Sequence, residues 1–184
     1  MHKLYLMGIL KISLLLTFFF TGPATSSTAT SAIPKDAIKG DFNGDGKPEY
    51  IWVVKPQLNK AEDDCVGKCM VQIVCSNPAI KPISVEQSIG GTLVNLGDLN
   101  GDGADEIGIL PDWFNGCWAA YHVYGLRNNN WLEAVPSFAV HCIQWDETAK
   151  FVKKVPGKKG FVTIRYSAMQ KEQIVVKTKV VRIK

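Results

Sequence analysis

One acidic segment occurs twice in this sequence, and it restricts the fold more than any other feature. Residues 40–49 read GDFNGDGKPE and residues 97–106 read GDLNGDGADE, so eight of ten positions match when the apolar pair Phe42 and Leu99 is counted. Each copy is followed by a run rich in Val, Ile and aromatic residues. Repetition at this spacing indicates stacked units, each about the size of a four-stranded β unit.

The polar side chains of each copy have the spacing of a loop that wraps around a hard cation. Oxygen-bearing side chains occupy positions 1, 3 and 5, and glycine at position 6 permits a sharp turn. Calcium accepts about six to eight oxygen ligands in flexible geometry, whereas zinc and copper prefer softer ligands. We therefore predict two calcium sites, with candidate ligands Asp41, Asn43, Asp45, the Lys47 carbonyl and Glu49 in the first, and Asp98, Asn100, Asp102, the Ala104 carbonyl and Glu106 in the second.

Two other interpretations of these loops are weaker. An EF-hand requires glutamate at position 12 and helices on both sides, but Trp52 and Ile109 occupy that position inside β-like runs. A plain turn is the second alternative, because Asp, Asn and Gly favour turns. A plain turn does not require carboxylates at fixed alternate positions in both copies, and the carboxylates of one loop repel one another unless a cation lies between them.

The rest of the chain has a β pattern. With 46% hydrophobic and 21% charged residues the chain has the composition of a globular domain, and short apolar runs separated by turn residues predict an all-β fold. The asparagines at 128–130 predict a hairpin between Tyr124 and Trp131. The predicted strands are Tyr50–Lys55, Met70–Cys75, Glu106–Leu110, Ala119–Gly125, Trp131–Val135, Phe151–Val155, Phe161–Ser167 and Ile174–Ile183.

The two segments 40–55 and 97–110 resemble the FG-GAP or VCBS repeats of secreted bacterial proteins and integrin-type propeller blades. The resemblance implies that each acidic loop joins two strands of a blade and holds calcium. It predicts a single β domain at 37–184, with blade-like antiparallel units near 37–93 and 94–140 and a plain β unit at 141–184. That is room for about three units, too few for a full propeller.

The first residues have the pattern of an export signal. Lys3 and Lys11 precede an apolar run at 12–20, and small residues follow it, which predicts a signal peptide at 1–24, with cleavage as late as 32, and a flexible leader at 25–36. A membrane anchor would need about 20 apolar residues. We therefore expect a secreted or periplasmic protein with no membrane span after cleavage.

Five cysteines follow this segment, so at least one thiol is left over or pairs between chains. An exported protein favours disulfides over metal thiolates, and no histidine stands close enough in sequence to Cys65 and Cys69 to complete a zinc set. Gly67 would let Cys65 and Cys69 close a tight loop. The candidate disulfide cysteines are Cys65, Cys69, Cys117 and Cys142, and their connectivity is left open.

Charge is distributed unevenly. Residues 33–149 contain 16 acidic and 8 basic side chains, whereas 150–184 contain 1 acidic and 11 basic ones. The acidic loops account for part of the negative charge. The basic end is either a lysine-rich sheet edge that resists aggregation or a surface for an anionic cell-surface polymer or an acidic protein. Nucleic acid is not an expected partner of an exported chain without a base-stacking motif.

Three aromatic residues, Trp113, Phe114 and Trp118, are candidates for a partner surface if they lie on a loop rather than in the core. An enzyme is less favoured. His122 and His141, with Asp112, Asp146 or Glu147 as partners, are the acid–base candidates, but no nucleophile motif accompanies them. We therefore predict a non-catalytic binding module with structural calcium. The alternative is an inhibitor or immunity-type protein for an exported enzyme. A calcium-dependent hydrolase is a weaker alternative.

Overall fold

The computed structural model describes residues 32–184. The signal peptide predicted at 1–24 and residues 25–31 of the leader lie outside the described residues. Within 32–184, no helix has both the length and the apolar character needed to cross a bilayer.

The described residues form three antiparallel sheets, which confirms the predicted all-β class with two four-stranded units and a plain C-terminal unit. The first sheet is a meander of β1 (Ile38–Gly40), β2 (Glu49–Val54), β3 (Met70–Cys75) and β4 (Ile83–Glu86). The second repeats that order with β5 (Gly90–Gly97), β6 (Glu106–Asp112), β7 (Trp118–Arg127) and β8 (Asn130–His141). A 3-10 helix (Cys142–Lys150) leads to the third sheet, formed by β9 (Val152–Lys154), β10 (Phe161–Gln170) and β11 (Gln173–Arg182).

The β7–β8 hairpin follows from two asparagines. Asn128 and Asn129 have φ angles of 50° and 60°, and this left-handed backbone matches the twist of a tight hairpin. Asn130 Nδ2 donates to the carbonyl of Asn128 at 2.8 Å. The predicted hairpin therefore forms where the asparagines place it.

The second sheet lies between the other two, so the protein has two apolar cores. One core joins the first and second sheets and consists of Phe42, Ile51, Val71, Ile73, Ile83, Val85, Ile107 and Ile109. The other joins the second and third sheets and includes Tyr121, Val123, Val135, Val140, Phe151, Val162 and Ile164. Residues 106–110 of β6 are all buried, as expected for a strand that is covered on both faces.

One glycine of β6 makes room for the largest buried side chain. Tyr121 of β7 is fully buried, and a Cβ built on Gly108 would overlap its Oη atom. The ring of Tyr121 contacts Phe151 edge-on at a centroid distance of 5.0 Å. Gly108 therefore allows the second sheet to pack against the third around this ring.

Candidate metal loops and an aromatic cleft

The two acidic loops occupy equivalent places in the fold. Residues 41–48 connect β1 to β2 in the first sheet, and residues 98–105 connect β5 to β6 in the second. In each sheet the two connected strands pair with each other in antiparallel register. The sequence repeat is therefore also a repeat of position in the fold.

The loops share one internal hydrogen-bond pattern. Oδ2 of the position-1 aspartate accepts from the N–H of position 6, at 2.8 Å in the first loop and 3.3 Å in the second. Oδ1 of the position-3 asparagine accepts from the N–H of position 5 at 2.9 and 2.8 Å. Oδ1 of the position-5 aspartate accepts from the N–H of position 7 at 2.8 and 3.0 Å. These bonds wrap both loops in the same way.

The position-9 glutamates are buried and accept hydrogen bonds from other residues of their own loops. Glu49 and Glu106 are only 6% and 1% exposed. Each accepts from the position-2 N–H, at 3.0 Å from Phe42 and 2.7 Å from Leu99, and each also accepts from Nδ2 of the position-3 asparagine, at 2.7 and 2.8 Å. In neither loop do three acidic residues bring carboxylate oxygens within 4.8 Å of one another.

Burial disfavours the charged form of the Glu106 carboxyl group in the second loop. Burial is the largest cause of the rise in the pKa of Glu106 to about 7; the N–H of Leu99 opposes this rise, and the charges of Asp102 and Asp98 contribute to it. A buried carboxylate beside two other carboxylates favours protonation unless a positive charge offsets them. The side chains at positions 1, 3, 5 and 9 all carry oxygen atoms that can serve as metal ligands, so the residues present fit a hard cation.

The two loops contact each other directly. The N–H of Asp105 donates to the carbonyl of Asp41 at 2.8 Å, and the N–H of Asp41 donates to Oδ2 of Asp105 at 3.2 Å. Asn95 Nδ2 donates to the same Oδ2 at 2.9 Å. A Cβ built on Gly44 would lie 3.4 Å from the backbone of Gly103. Position 1 of the first loop is therefore held by the second loop.

Two residues of the basic end of the chain approach the second loop. A Cβ built on Gly101 would lie 2.9 Å from Cε and 3.5 Å from Nζ of Lys159, and Asn100 Nδ2 donates to the carbonyl of Lys184 at 3.2 Å. A groove of about 640 Å³ runs beside the loop, and its basic lining residues are Arg127, Lys159, Arg182 and Lys184. Acidic and basic regions of the sequence therefore meet at this loop.

Four cysteines form two disulfides, Cys65–Cys69 and Cys117–Cys142. Cys75 is the one free thiol in the described part of the chain, and burial raises its pKa. In two groups of residues the potential metal-ligand atoms lie within 4.8 Å of one another: Cys117, His141 and Cys142, and Asp64, Cys65 and Cys69. Their sulfurs are joined in disulfides and are not thiolates, which are the form that binds metal.

Two of the three predicted partner-surface residues line a cleft between the first and second sheets. Trp113 is 47% and Trp118 46% exposed, and both line this space of about 570 Å³. Phe114 does not line it; its ring contacts Trp113 edge-on at 5.1 Å. Sequence reasoning missed Tyr124 and Trp145, which complete the aromatic lining. Side chains alternate along β7, so Tyr124 lies on the same face of the strand as Trp118. This relation could have been predicted from the sequence.

The acid–base candidates are placed apart. His122 Nδ1 lies 3.8 Å from Oε1 of Glu133, rather than beside an acid predicted from sequence, and burial lowers the pKa of His122. His141 accepts from the N–H of Ile143 at 3.4 Å, at the start of the 3-10 helix. Glu147 pairs with Lys150 at 2.7 Å and with Arg165. Each of these groups has a local structural partner.

Comparison with known proteins found no matching family model, no matching curated protein and no matching solved structure. The geometry alone therefore defines the class: an all-β protein in which two four-stranded sheets carry the same acidic loop at the same place. The resemblance to FG-GAP and VCBS repeats stays a prediction.

Proposed function

We propose that this chain is a secreted or periplasmic calcium-binding repeat protein of the FG-GAP/VCBS-like type and acts as a non-catalytic binding module. The observation that carries the proposal is the repetition of one loop, with the same internal bonds, between the first two strands of two successive sheets. Two independent turns would not be expected to share carboxylates at the same positions and the same bond pattern.

In this proposal calcium is structural. Within each loop the side-chain oxygens of positions 1, 3, 5 and 9 and the carbonyl of position 7 would hold the ion. The ion supplies positive charge, which removes the repulsion between the carboxylates and offsets the burial of Glu106. The loop itself fixes the junction between two strands, so a bound ion would stabilise the folded chain over the unfolded one.

Export is supported by the cysteines. Two disulfides persist in an oxidising compartment and are rare in the cytosol. Lysines on both outer strands of the third sheet, Lys153 and Lys154 on β9 and Lys177 and Lys179 on β11, discourage edge pairing and also provide a surface for an anionic cell-surface polymer.

Differential scanning calorimetry with calcium and with a chelator tests the proposal. We expect calcium to raise the melting temperature, and Asp45→Asn and Asp102→Asn each to reduce the increase. Asp146→Asn is the matched control, because Asp146 is exposed and outside both loops. An unchanged melting temperature in the unsubstituted protein would refute the calcium role.

An inhibitor or immunity-type function is the second candidate. The segment between β6 and β7 presents the exposed Trp113, and the Cys117–Cys142 disulfide fixes the end of this segment to the end of β8. A rigid loop with an exposed tryptophan suits insertion into a partner protein. Co-purification of one exported enzyme, lost in Trp113→Ala, would favour this function over the first.

A further inference from the structure

The cleft between the first and second sheets has three walls of different character. The face of β7 that carries Trp118, Ala120 and Tyr124 forms one wall, and the β6–β7 segment forms the second with Trp113. The third wall is the edge strand β4 and the residues that follow it, including Glu86 and Gln87. Its volume of about 570 Å³ falls in the range of about 300–1,000 Å³ that is usual for small-molecule sites.

The two tryptophans of the cleft that were predicted from sequence are exposed, whereas Tyr124 and Trp145 are partly buried and also pack against the cores. Trp113 and Trp118 are each nearly half exposed, and the small residue Ala120 lies along β7 between Trp118 and the stacked pair of His122 and Tyr124. That pair is nearly parallel, with an interplanar angle of 9° and a centroid distance of 6.0 Å. The wall therefore offers separated aromatic surfaces along one strand.

Polar groups lie around the aromatic faces. Glu86, Gln87 and Asn115 line the cleft, and none of their side chains bonds to another side chain within residues 32–184. Trp145 also lines the cleft, and its buried Nε1–H has no hydrogen-bond acceptor among the described residues. The cleft thus combines apolar faces with free donors and acceptors.

The charge of the cleft restricts the ligand. It has no lysine or arginine in its lining and a single carboxylate, that of Glu86. Two groups of basic side chains line other spaces, one beside the second acidic loop and one on the third sheet. An anionic ligand would therefore bind elsewhere, and the cleft suits a ligand without charge.

We propose that this cleft binds an uncharged glycan, whose pyranose rings stack on Trp113 and Trp118 while its hydroxyl groups bond to Glu86, Gln87 and Asn115. A pyranose ring has a face of C–H groups and a rim of hydroxyl groups, so it needs an aromatic face and polar groups together. The inference rests on the binding role in the proposed function and names its ligand class; it does not depend on calcium.

Titration calorimetry of the full chain with neutral hexasaccharides tests the inference. The probes are cello-, chito-, malto-, xylo-, laminari- and mannohexaose at millimolar concentration, with polygalacturonate and choline as charged probes. We expect at least one neutral hexasaccharide to bind, and Trp113→Ala and Trp118→Ala each to weaken it about tenfold or more. Leu132→Ala is the matched control, because Leu132 is 50% exposed and outside the cleft lining, and it should bind as the unsubstituted protein does.

The inference would be overturned if no neutral hexasaccharide bound, or if Trp118→Ala bound the glycan as tightly as the unsubstituted protein. It would also be overturned if Leu132→Ala lost as much affinity as the tryptophan variants, or if polygalacturonate or choline bound and the tryptophan substitutions abolished that binding. The calcium-dependent rise in melting temperature is measured in the same variants, and it also confirms that each variant is folded. If that rise persists while no glycan binds, the glycan site alone is refuted; if it is absent while a glycan binds, the calcium role alone is refuted.

Discussion

Asp41 and Asp105 exchange hydrogen bonds across the boundary between two sheets: the N–H of Asp105 donates to the carbonyl of Asp41 at 2.8 Å, and the N–H of Asp41 donates to the Asp105 carboxylate at 3.2 Å. Asp41 is position 1 of the first loop, whereas Asp105 belongs to the second. The backbone of one proposed calcium site is therefore positioned by the other repeat.

Removing the Asp105 carboxylate should loosen both loops. It accepts from the N–H of Asp41 and from Nδ2 of Asn95, which also donates to the carbonyl of Lys39. Asp105→Ala therefore leaves the partly buried N–H of Asp41 without its acceptor and removes one of the two bonds of Asn95, and we expect a loss of about 1–3 kcal/mol in the free energy of unfolding. Asp105→Asn keeps an acceptor oxygen and should cost clearly less. Urea denaturation of both variants checks this, and equal losses would show that the hydrogen bonds are not the cause.

The two loops should bind calcium unequally, because Lys159 lies over Gly101 of the second loop. Its ammonium group competes with a cation for the same negative field, so Lys159→Gln should tighten calcium binding at the second loop roughly two- to fivefold, the effect of an exposed charge pair. Titration calorimetry in an Asp45→Asn background isolates that loop. Lys177→Gln, at an exposed lysine on β11, is the control, and tightening in both variants would contradict the local effect.

Gly108→Ala should destabilise the protein by about 1–3 kcal/mol, because a new Cβ would overlap the buried ring of Tyr121. The nearest atom is Tyr121 Oη, whose bond to the carbonyl of Thr148 is long at 3.5 Å. Adding Tyr121→Phe removes that atom and should recover part of the loss. Thermal melts of the single and double variants measure both effects, and additive losses would argue against the overlap.

Stability should fall in acid through the Glu147 cluster. Hydrogen bonds from Lys150 and Arg165 lower the pKa of Glu147 to about 2, from an ordinary value of 4.5. Because the folded-state pKa is the lower one, the stabilisation is complete above about pH 4.5 and is lost as the pH falls towards 2. Melting temperatures measured from pH 5 to 2 should therefore fall less steeply in Glu147→Gln than in Asp146→Asn.

The sequence predicted the elements that have a local cause. The β7–β8 hairpin formed at its asparagines, and the later strands formed at their apolar runs. It missed β5, because Gly90, Gly91 and Gly97 give that segment low strand propensity and pairing with β6 supplies the order instead. It also missed β1 and β4, which contain only three and four residues, and the 3-10 helix at 142–150.

In the candidate sites, too, features with a local cause could be predicted from the sequence, whereas contacts between distant segments could not. Loop positions 1 to 9 are local, so their spacing was readable from the sequence. The bond between Asp41 and Asp105, the approach of Lys159 to Gly101 and the wall that Glu86 gives to the aromatic cleft all join distant segments. Such contacts depend on how sheets stack, which the pattern of one strand does not encode.

Lys159 lies on the connection between β9 and β10, residues 155–160, which runs beside the second loop much as the second loop runs beside the first. Stacked repeats need end units that differ from the inner ones. A third acidic connection would line up three like charges; a lysine-bearing connection instead terminates the row with the opposite sign. The C-terminal sheet thus places positive charge beside the second acidic loop, on the side where a third acidic loop would add negative charge.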